Sequence, residues 1–152
     1  MSKRQGIKKI TTNRKAFFNY EIEAKLEAGI VLEGTEVKSI RAGYVSLDQA
    51  YAAVENGELW LYNCHVKEYP WGNRQNHDPT RKRKLLLHKR QLAKWSEAVQ
   101  QSGSTIVPIS MYLKNGRIKV QLGLGKGKKL HDKRQTLKRR TAQREIDRHL
   151  SR

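Results

Sequence analysis

The sequence predicts a mainly β protein in which about six short antiparallel strands form a barrel with two accessory helices. Two Asn-Gly pairs, each between apolar runs, predict tight hairpins because Asn-Gly tolerates the positive φ values of a type I′ turn. A third segment alternates strictly between apolar and polar residues, which is the period of a half-buried strand. Many short strands joined by tight turns favour a barrel over a parallel sheet.

The charge of the chain is concentrated at its two ends. The 152 residues carry a formal net charge of +18. Residues 1–15 hold six basic residues and no acid, residues 16–113 hold twelve basic and eleven acidic residues, and residues 114–152 hold fourteen basic and three acidic residues. We therefore expect a basic N-terminal arm at 1–15, a barrel domain at 16–125 and a basic C-terminal tail at 126–152.

This charge predicts a polyanion partner, since far fewer cations would keep the chain in solution. The single cysteine, Cys64, fits a reducing compartment. No apolar run approaches the roughly 20 residues that span a bilayer, and the basic N-terminus has no apolar stretch behind it as a secretory signal would. We expect a cytoplasmic RNA-binding protein with no membrane partner.

The first strand is predicted from Phe17 to Glu27, where apolar residues alternate with Asn, Glu and Lys. Ala28-Gly29 then permits a turn or bulge, and residues 30–32 read as a second short strand. A short helix should follow, capped by Thr35 and ended by Gly43.

The two hairpins are predicted at 51–62, around Asn56-Gly57, and at 105–124, around Asn115-Gly116. Proline cannot donate a ladder hydrogen bond, so Pro108 suggests a sheet edge or a bulge in its strand.

A helix is predicted between the hairpins. Leu92, Trp95 and Val99 recur at helical spacing, and Gly103 is a typical C-terminal stop.

The segment before that helix combines aromatic residues with cations. Residues 69–79 are rich in turn formers and predict an exposed loop that carries Tyr69 and Trp71. Four consecutive cations follow at 81–84. Aromatic residues beside cations favour looped or single-stranded RNA, although a charge run is also typical of a solvated surface.

The tail has a thin apolar stripe of Leu137, Ala142, Ile146 and Leu150. Four apolar positions offset little of the entropy lost on ordering. We therefore expect the tail to be disordered when free and helical when bound to its partner.

Three kinds of site are weakly supported. Gly123 to Lys128 lacks both the dinucleotide-binding spacing and the Ser or Thr of a phosphate-binding loop, which leaves a flexible hinge or a plain exit from the last strand. The histidines are scattered, so no metal site is expected. No acid–base constellation calls for catalysis, so we expect no enzyme; a small ribonuclease stays open as an alternative.

Four motifs, read together and in order, resemble one protein family. They lie at 13–16, 33–41, 78–87 and 127–134. In this order and spacing they resemble the small protein B (SmpB) family, the bacterial protein partners of transfer-messenger RNA. The resemblance implies an oligonucleotide-binding (OB) type of β-barrel with accessory helices.

The resemblance also implies a function. Such proteins bind the tRNA-like domain of transfer-messenger RNA and deliver it to stalled 70S ribosomes, where the tail lies near the decoding centre, its 16S ribosomal RNA and the empty messenger channel. They act with elongation factor Tu and alanyl-tRNA synthetase, without cofactor or catalysis. A general ribosomal-RNA-binding protein or RNA chaperone is the alternative.

The candidate site residues fall into two groups. Those expected to bind RNA, partly from the charge run and partly from the resemblance, are Asn13, Arg14, Lys15, Glu27, Arg81, Arg83, Lys84, Leu86 and Lys119. Those that match the family's ribosome-facing tail are Gly127, Lys128, Lys129, His131, Asp132, Lys133, Arg134, Leu137, Lys138 and Arg140. Thr141 stands where the family pattern has an acid. Removal of the chain from Gly127 onward is expected to abolish rescue and to leave RNA binding largely intact.

Overall fold

The structure is a computed structural model that describes residues 6–71 and 76–150, apart from the side chain of Leu130. Residues 1–5 of the arm, 72–75 of the predicted loop and 151–152 of the tail lie outside the described residues. The strands are β1 (Ile7–Thr12), β2 (Tyr20–Ile30), β3 (Val45–Ser46), β4 (Tyr51–Glu55), β5 (Glu58–Tyr62), β6 (His65–Val66), β7 (Arg83–Leu86), β8 (Thr105–Lys114) and β9 (Arg117–Gly127). The helices are α1 (Ala16–Asn19), α2 (Gly34–Arg41), α3 (Lys89–Ser102) and α4 (Leu130–Leu150).

Six strands form a closed antiparallel ring in the order β8-β4-β5-β7-β2-β9, and β9 pairs back with β8. The mainly β, barrel-like fold predicted from the sequence is confirmed. The ring is irregular: β2, β8 and β9 pair over long stretches, whereas β4 joins β8 through Ala52 opposite Ile106. The small β3–β6 pair stands apart from the ring, and within the described residues there are four helices where two were expected.

The core lies inside this ring. Leu61, Met111, Val120 and Leu122 are fully enclosed, and Trp95 from α3 is 4% exposed. Burial of each large apolar side chain contributes roughly 1.5–3 kcal/mol, so this cluster is a main source of stability.

Both predicted hairpins are confirmed. Asn56 and Gly57 have φ values of 50° and 75°, and Asn115 and Gly116 have values of 52° and 78°. These are the left-handed conformations that an Asn-Gly turn favours.

The predictions for α3 and Pro108 are also confirmed. Gly103 follows the helix with φ at 67°, and its amide donates to the carbonyl of Val99. The β8–β9 register shifts between Pro108 and Ser110. A bulge interrupts the ladder of hydrogen bonds there, so the strand tolerates a proline, which has no amide hydrogen to donate.

The predicted first strand was wrong at both ends. Phe17 lies in α1, and β2 begins at Tyr20. The strand then runs on through Ala28 and Gly29, because both residues pair with β9, so they make no turn and residues 30–32 form no second strand. Ala28 is 1% exposed, which explains why a small apolar residue stands there.

The predicted cap of α2 was also wrong. Glu33, not Thr35, caps the helix, and Glu36 accepts a hydrogen bond from the Glu33 amide at 2.8 Å. The helix ends at Arg41, and Gly43 follows with φ at 88°.

Four strands were missed. Two of them, the short β3 and β6, pair with each other. β1 within the arm pairs with β8, so residues 7–12 extend the sheet. β7 pairs with β2 and β5. It was missed because three consecutive leucines at 85–87 do not show the alternation of apolar and polar residues that predicts a strand.

The glycine-rich stretch is strand, not a flexible hinge. Gly123, Gly125 and Gly127 all lie in β9. A Cβ on Gly125 would lie 2.5 Å from the backbone oxygen of Glu21, so the close approach of β2 requires glycine there.

The tail forms one helix of 21 residues, α4. Side chains from 137 to 150 are exposed throughout. Disorder of the free tail stays a prediction. No helix in the described ranges is both long enough and apolar enough to cross a membrane.

Candidate nucleic-acid interface

Three predicted RNA-binding residues, Glu27, Leu86 and Lys119, line one groove on the outside of the ring. Across neighbouring strands, Lys119 pairs with Gly29 and Gly29 pairs with Leu86. Gly29 has no side chain, so it leaves a gap between the lysine and the leucine. The gap belongs to a cavity of about 330 Å³ that Glu27 also lines.

Glu27 is held as a carboxylate in this groove. The Tyr112 hydroxyl donates a hydrogen bond to Glu27 Oε2 at 2.5 Å, and Lys114 Nζ lies 3.3 Å from both carboxylate oxygens. The tyrosine hydrogen bond is the main reason that the pKa of Glu27 is lowered; Lys114 and Lys119 add to the effect. Burial and the same contact raise the pKa of Tyr112, so it remains a donor.

The groove offers three different contacts to a nucleotide. Leu86 is 49% exposed and gives an apolar surface for the face of a base. Glu27 accepts hydrogen bonds from base amino groups or ribose hydroxyls, and Lys119 attracts a phosphate. Sequence reasoning missed Gly29 and Tyr112, because only the strand register brings them to the groove.

Asn13 does not lie in this groove. It is 5% exposed; its Nδ2 donates to the Pro108 carbonyl at 3.0 Å, and its amide donates to the Ile109 carbonyl at 2.7 Å. Asn13 therefore attaches the arm to β8, and the following Arg14 and Lys15 are exposed. The expected direct contact of Asn13 with RNA has no support in this position, whereas Arg14 and Lys15 remain available.

Arg83, which the sequence predicts to bind RNA, is buried in the structure. Its side chain is 0% exposed, and its Nε lies 2.5 Å from the equally buried Glu36. The other guanidinium nitrogens donate to the carbonyls of Cys64, Asp78 and Pro79. All its donors act inside the protein, so Arg83 joins β7 to α2.

The neighbouring cations are largely paired as well. Arg81 contacts Glu36 at 2.5 Å and is 28% exposed. Lys84 forms an ion pair with Glu58, and Lys82 lies 3.1 Å from Glu55. The run at 81–84 is therefore mainly a set of internal ion pairs, which one sequence cannot distinguish from an RNA-binding patch.

The root of the tail is attached to α1. The Lys128 amide donates to the Asn19 carbonyl at 2.8 Å, and Lys128 Nζ donates to Thr136 at 2.8 Å. Lys133 and Arg140 lie over the Phe18 ring, at 5.9 Å and 5.6 Å from its centroid.

The remaining predicted tail residues are spread along α4 and its approach. His131, Asp132, Arg134, Leu137 and Lys138 are exposed, as are Gly127 and Lys129 before the helix. Thr141 stands where the family pattern has an acid. Its hydroxyl donates a hydrogen bond to the Leu137 carbonyl within the helix.

Replacing Phe18 by leucine is expected to release the first half of α4. Each cation–π contact is worth roughly 0.5–1 kcal/mol, so amide exchange at 133–140 should become about fivefold faster or more. Phe17→Leu is the matched control, because Phe17 contacts Lys25 and not the tail. Hydrogen exchange by mass spectrometry measures both; identical exchange in the two variants would contradict the contact.

Comparisons of the sequence and of the structure with known proteins agree on one family. Residues 10–152 match the model of the family described as SmpB protein. This chain belongs to the SmpB family. The resemblance noted from the four motifs is therefore confirmed.

Curated SmpB-family relatives are similar over almost their whole length. The chain is 54% identical over 145 residues to an SsrA-binding protein of Desulfitobacterium hafniense, covering 95% of this chain and 93% of the relative. It is 57% identical over 143 residues to an SsrA-binding protein of Halalkalibacterium halodurans, covering 94% and 93%.

A solved SmpB structure has the same fold. It carries the description "tmRNA-SmpB: a journey to the center of the bacterial ribosome". The match has a TM-score of 0.66 at 49% identity and covers 79% of this chain and 85% of that chain.

Proposed function

We propose that this chain binds the tRNA-like domain of transfer-messenger RNA through the groove of Glu27, Leu86 and Lys119. The observation that carries the proposal is the convergence of an apolar surface, a fixed carboxylate and a lysine around the side-chain-free Gly29. Relatives that share more than half of the sequence are named for binding SsrA RNA.

The second half of the function is delivery to the ribosome. The bound RNA reaches a stalled 70S ribosome, and α4 enters the empty messenger channel near the decoding centre, where its cations contact 16S ribosomal RNA. The exposure of these cations along α4 supports this role, as does the ribosome named in the description of the solved relative. Elongation factor Tu and alanyl-tRNA synthetase act on the same RNA, and the chain itself acts by binding alone.

Lys119→Ala is expected to weaken binding of the tRNA-like RNA about tenfold. Loss of one phosphate contact should also lower the slope of log affinity against log salt by about 1. Lys25→Ala is the matched control, because Lys25 lies on β2 but contacts Phe17 and does not line the cavity. Filter binding at several salt concentrations measures both; equal effects in the two variants would contradict a specific groove.

A general ribosomal-RNA-binding protein is the competing function. Competition between the tRNA-like RNA and bulk tRNA separates the two. The groove predicts preference for the tRNA-like RNA, and equal competition by bulk tRNA would favour the general function.

A further inference from the structure

A second surface, outside the six-stranded ring, combines aromatic residues with cations. It comprises the second half of α2, Tyr44 in the segment between α2 and β3, and the residues that follow β6. We define it as the aromatic–lysine surface, made of Lys38, Arg41, Tyr44, Lys67, Tyr69 and Trp71.

Five side chains of this surface form two contacting groups. Lys38 Nζ lies 5.8 Å from the Tyr69 ring centroid, and Lys67 Nζ lies 5.3 Å from the Tyr44 ring centroid. The Tyr69 and Trp71 rings meet edge to face at 5.5 Å. The Lys67 amide donates to the Tyr44 carbonyl at 2.9 Å, so both halves of the surface are joined through the backbone.

The base of the loop that presents Trp71 is held in place. Asn76 accepts from the Tyr69 amide at 3.2 Å and donates to the Tyr69 carbonyl at 2.9 Å. His77 is 3% exposed; its Nε2 donates to the Val66 carbonyl at 2.8 Å, so its Nδ1 accepts from the Thr35 hydroxyl at 2.9 Å. The aromatic pair therefore stands on a fixed base.

The exposure and charge of the surface indicate an anionic partner with flat rings. Trp71 is 74% exposed, whereas tryptophan side chains in folded proteins are highly buried on average. Among the residues that the structure describes, no salt bridge includes Lys38, Arg41 or Lys67, in contrast to Lys82 and Lys84. Glu68 is the acidic residue next to Lys67, and the three cations Lys38, Arg41 and Lys67 outnumber it, so the net charge of the surface is positive.

We propose that the aromatic–lysine surface binds an unpaired stretch of RNA, with Trp71 stacking on a base and Lys38 and Lys67 contacting the flanking phosphates. Stacking on an aromatic ring is tolerant of sequence and is worth about 1–3 kcal/mol per base. The surface shares no residue with the groove or the tail, so it is an additional RNA contact. Both a loop of the tRNA-like domain and ribosomal RNA offer this chemistry.

The first test is fluorescence of the full chain titrated with decauridylate. Binding should quench the emission that Trp71→Phe removes. The other two tryptophans are Trp95, which is 4% exposed, and Trp60, which is half-buried with Lys82 over its ring; their emission is measured in Trp71→Phe and subtracted. Trp71→Leu should weaken binding about fivefold or more, and Trp71→Phe should restore most of it because a ring still stacks. Lys67→Gln should lower the salt slope by about 0.7.

Two results would overturn the proposal. One is decauridylate affinity in Trp71→Leu that equals wild type. The other is a blue shift of Trp71 emission with vesicles of phosphatidylserine and phosphatidylcholine but no response to decauridylate, which would indicate a membrane surface.

Binding of the same variants to the tRNA-like RNA and to 70S ribosomes identifies which RNA the surface contacts. If Trp71→Leu binds one of these partners more weakly than wild type, the proposal is supported and that partner carries the RNA. Lys119→Ala tests the groove separately, so the proposed function can fail while this surface stands. If Trp71→Leu binds both partners as wild type does, the surface does not act in this protein.

Discussion

A chain that lacks residues 130–152 is expected to lose ribosome rescue completely and to bind the tRNA-like RNA within about threefold of the full chain. The groove lies on the ring, far in sequence from α4, and no residue of α4 lines it. Most of the cations of α4 have exposed side chains. The deletion begins at Leu130 and not at Gly127, because Gly127 pairs with Tyr20 and Lys128 bonds to Asn19.

Rescue is measured by peptide tagging in a reconstituted translation reaction, and RNA affinity by filter binding at fixed salt. A shorter deletion of 146–152 is the matched control, since it keeps the residues of the family motif. Equal loss of both activities in the 130–152 deletion would contradict the separation of RNA binding from ribosome entry.

Glu36→Gln is expected to lower the free energy of unfolding by about 3–5 kcal/mol, because it leaves the buried Arg83 guanidinium without a counter-charge. Glu36 also closes the cap of α2 and contacts Arg81, so one change weakens the helix cap and the contacts with Arg81 and Arg83. Urea unfolding measures the loss.

Glu33→Gln is the matched control for this variant. Its carboxylate is 54% exposed and lies 3.7 Å from Arg81, so the change should cost less than about 1 kcal/mol. Similar losses in the two variants would contradict the importance of the buried pair.

The same pair predicts a dependence of stability on pH. Burial alone would raise the pKa of Glu36, but hydrogen bonds from Arg81, Glu33 and Arg83 overcome it and lower the pKa from 4.5. A lowered folded pKa gives stability that is present above the unfolded value and is lost as pH falls through the folded value. Unfolding between pH 7 and 3 should show a steeper acid loss in wild type than in Glu36→Gln.

The parts of the fold that the sequence predicted depend on local chemistry. Asn-Gly turns, the glycine after α3 and the bulge at Pro108 each follow from the conformations of one or two residues. The errors at β2 arose because pairing with β9 extends the strand through Ala28 and Gly29, which taken alone favour a turn.

The candidate site divides in the same way. Sequence composition could not place Arg83, because its counter-charge lies 47 positions away in Glu36. The Tyr112 hydroxyl reaches Glu27 across 85 positions, so the lowered pKa of that carboxyl has no sequence signal. Resemblance supplied Glu27, Leu86 and Lys119, and strand register explains why these three distant residues meet.

The most direct test of the central claim is to purify the protein from a bacterial lysate at moderate salt and sequence the RNA that remains bound. We predict that one RNA with a tRNA-like end dominates over bulk tRNA and ribosomal RNA, and that Lys119→Ala reduces this enrichment. Bound RNA that mirrors the total cellular pool would contradict the proposal and would leave a general RNA-binding protein.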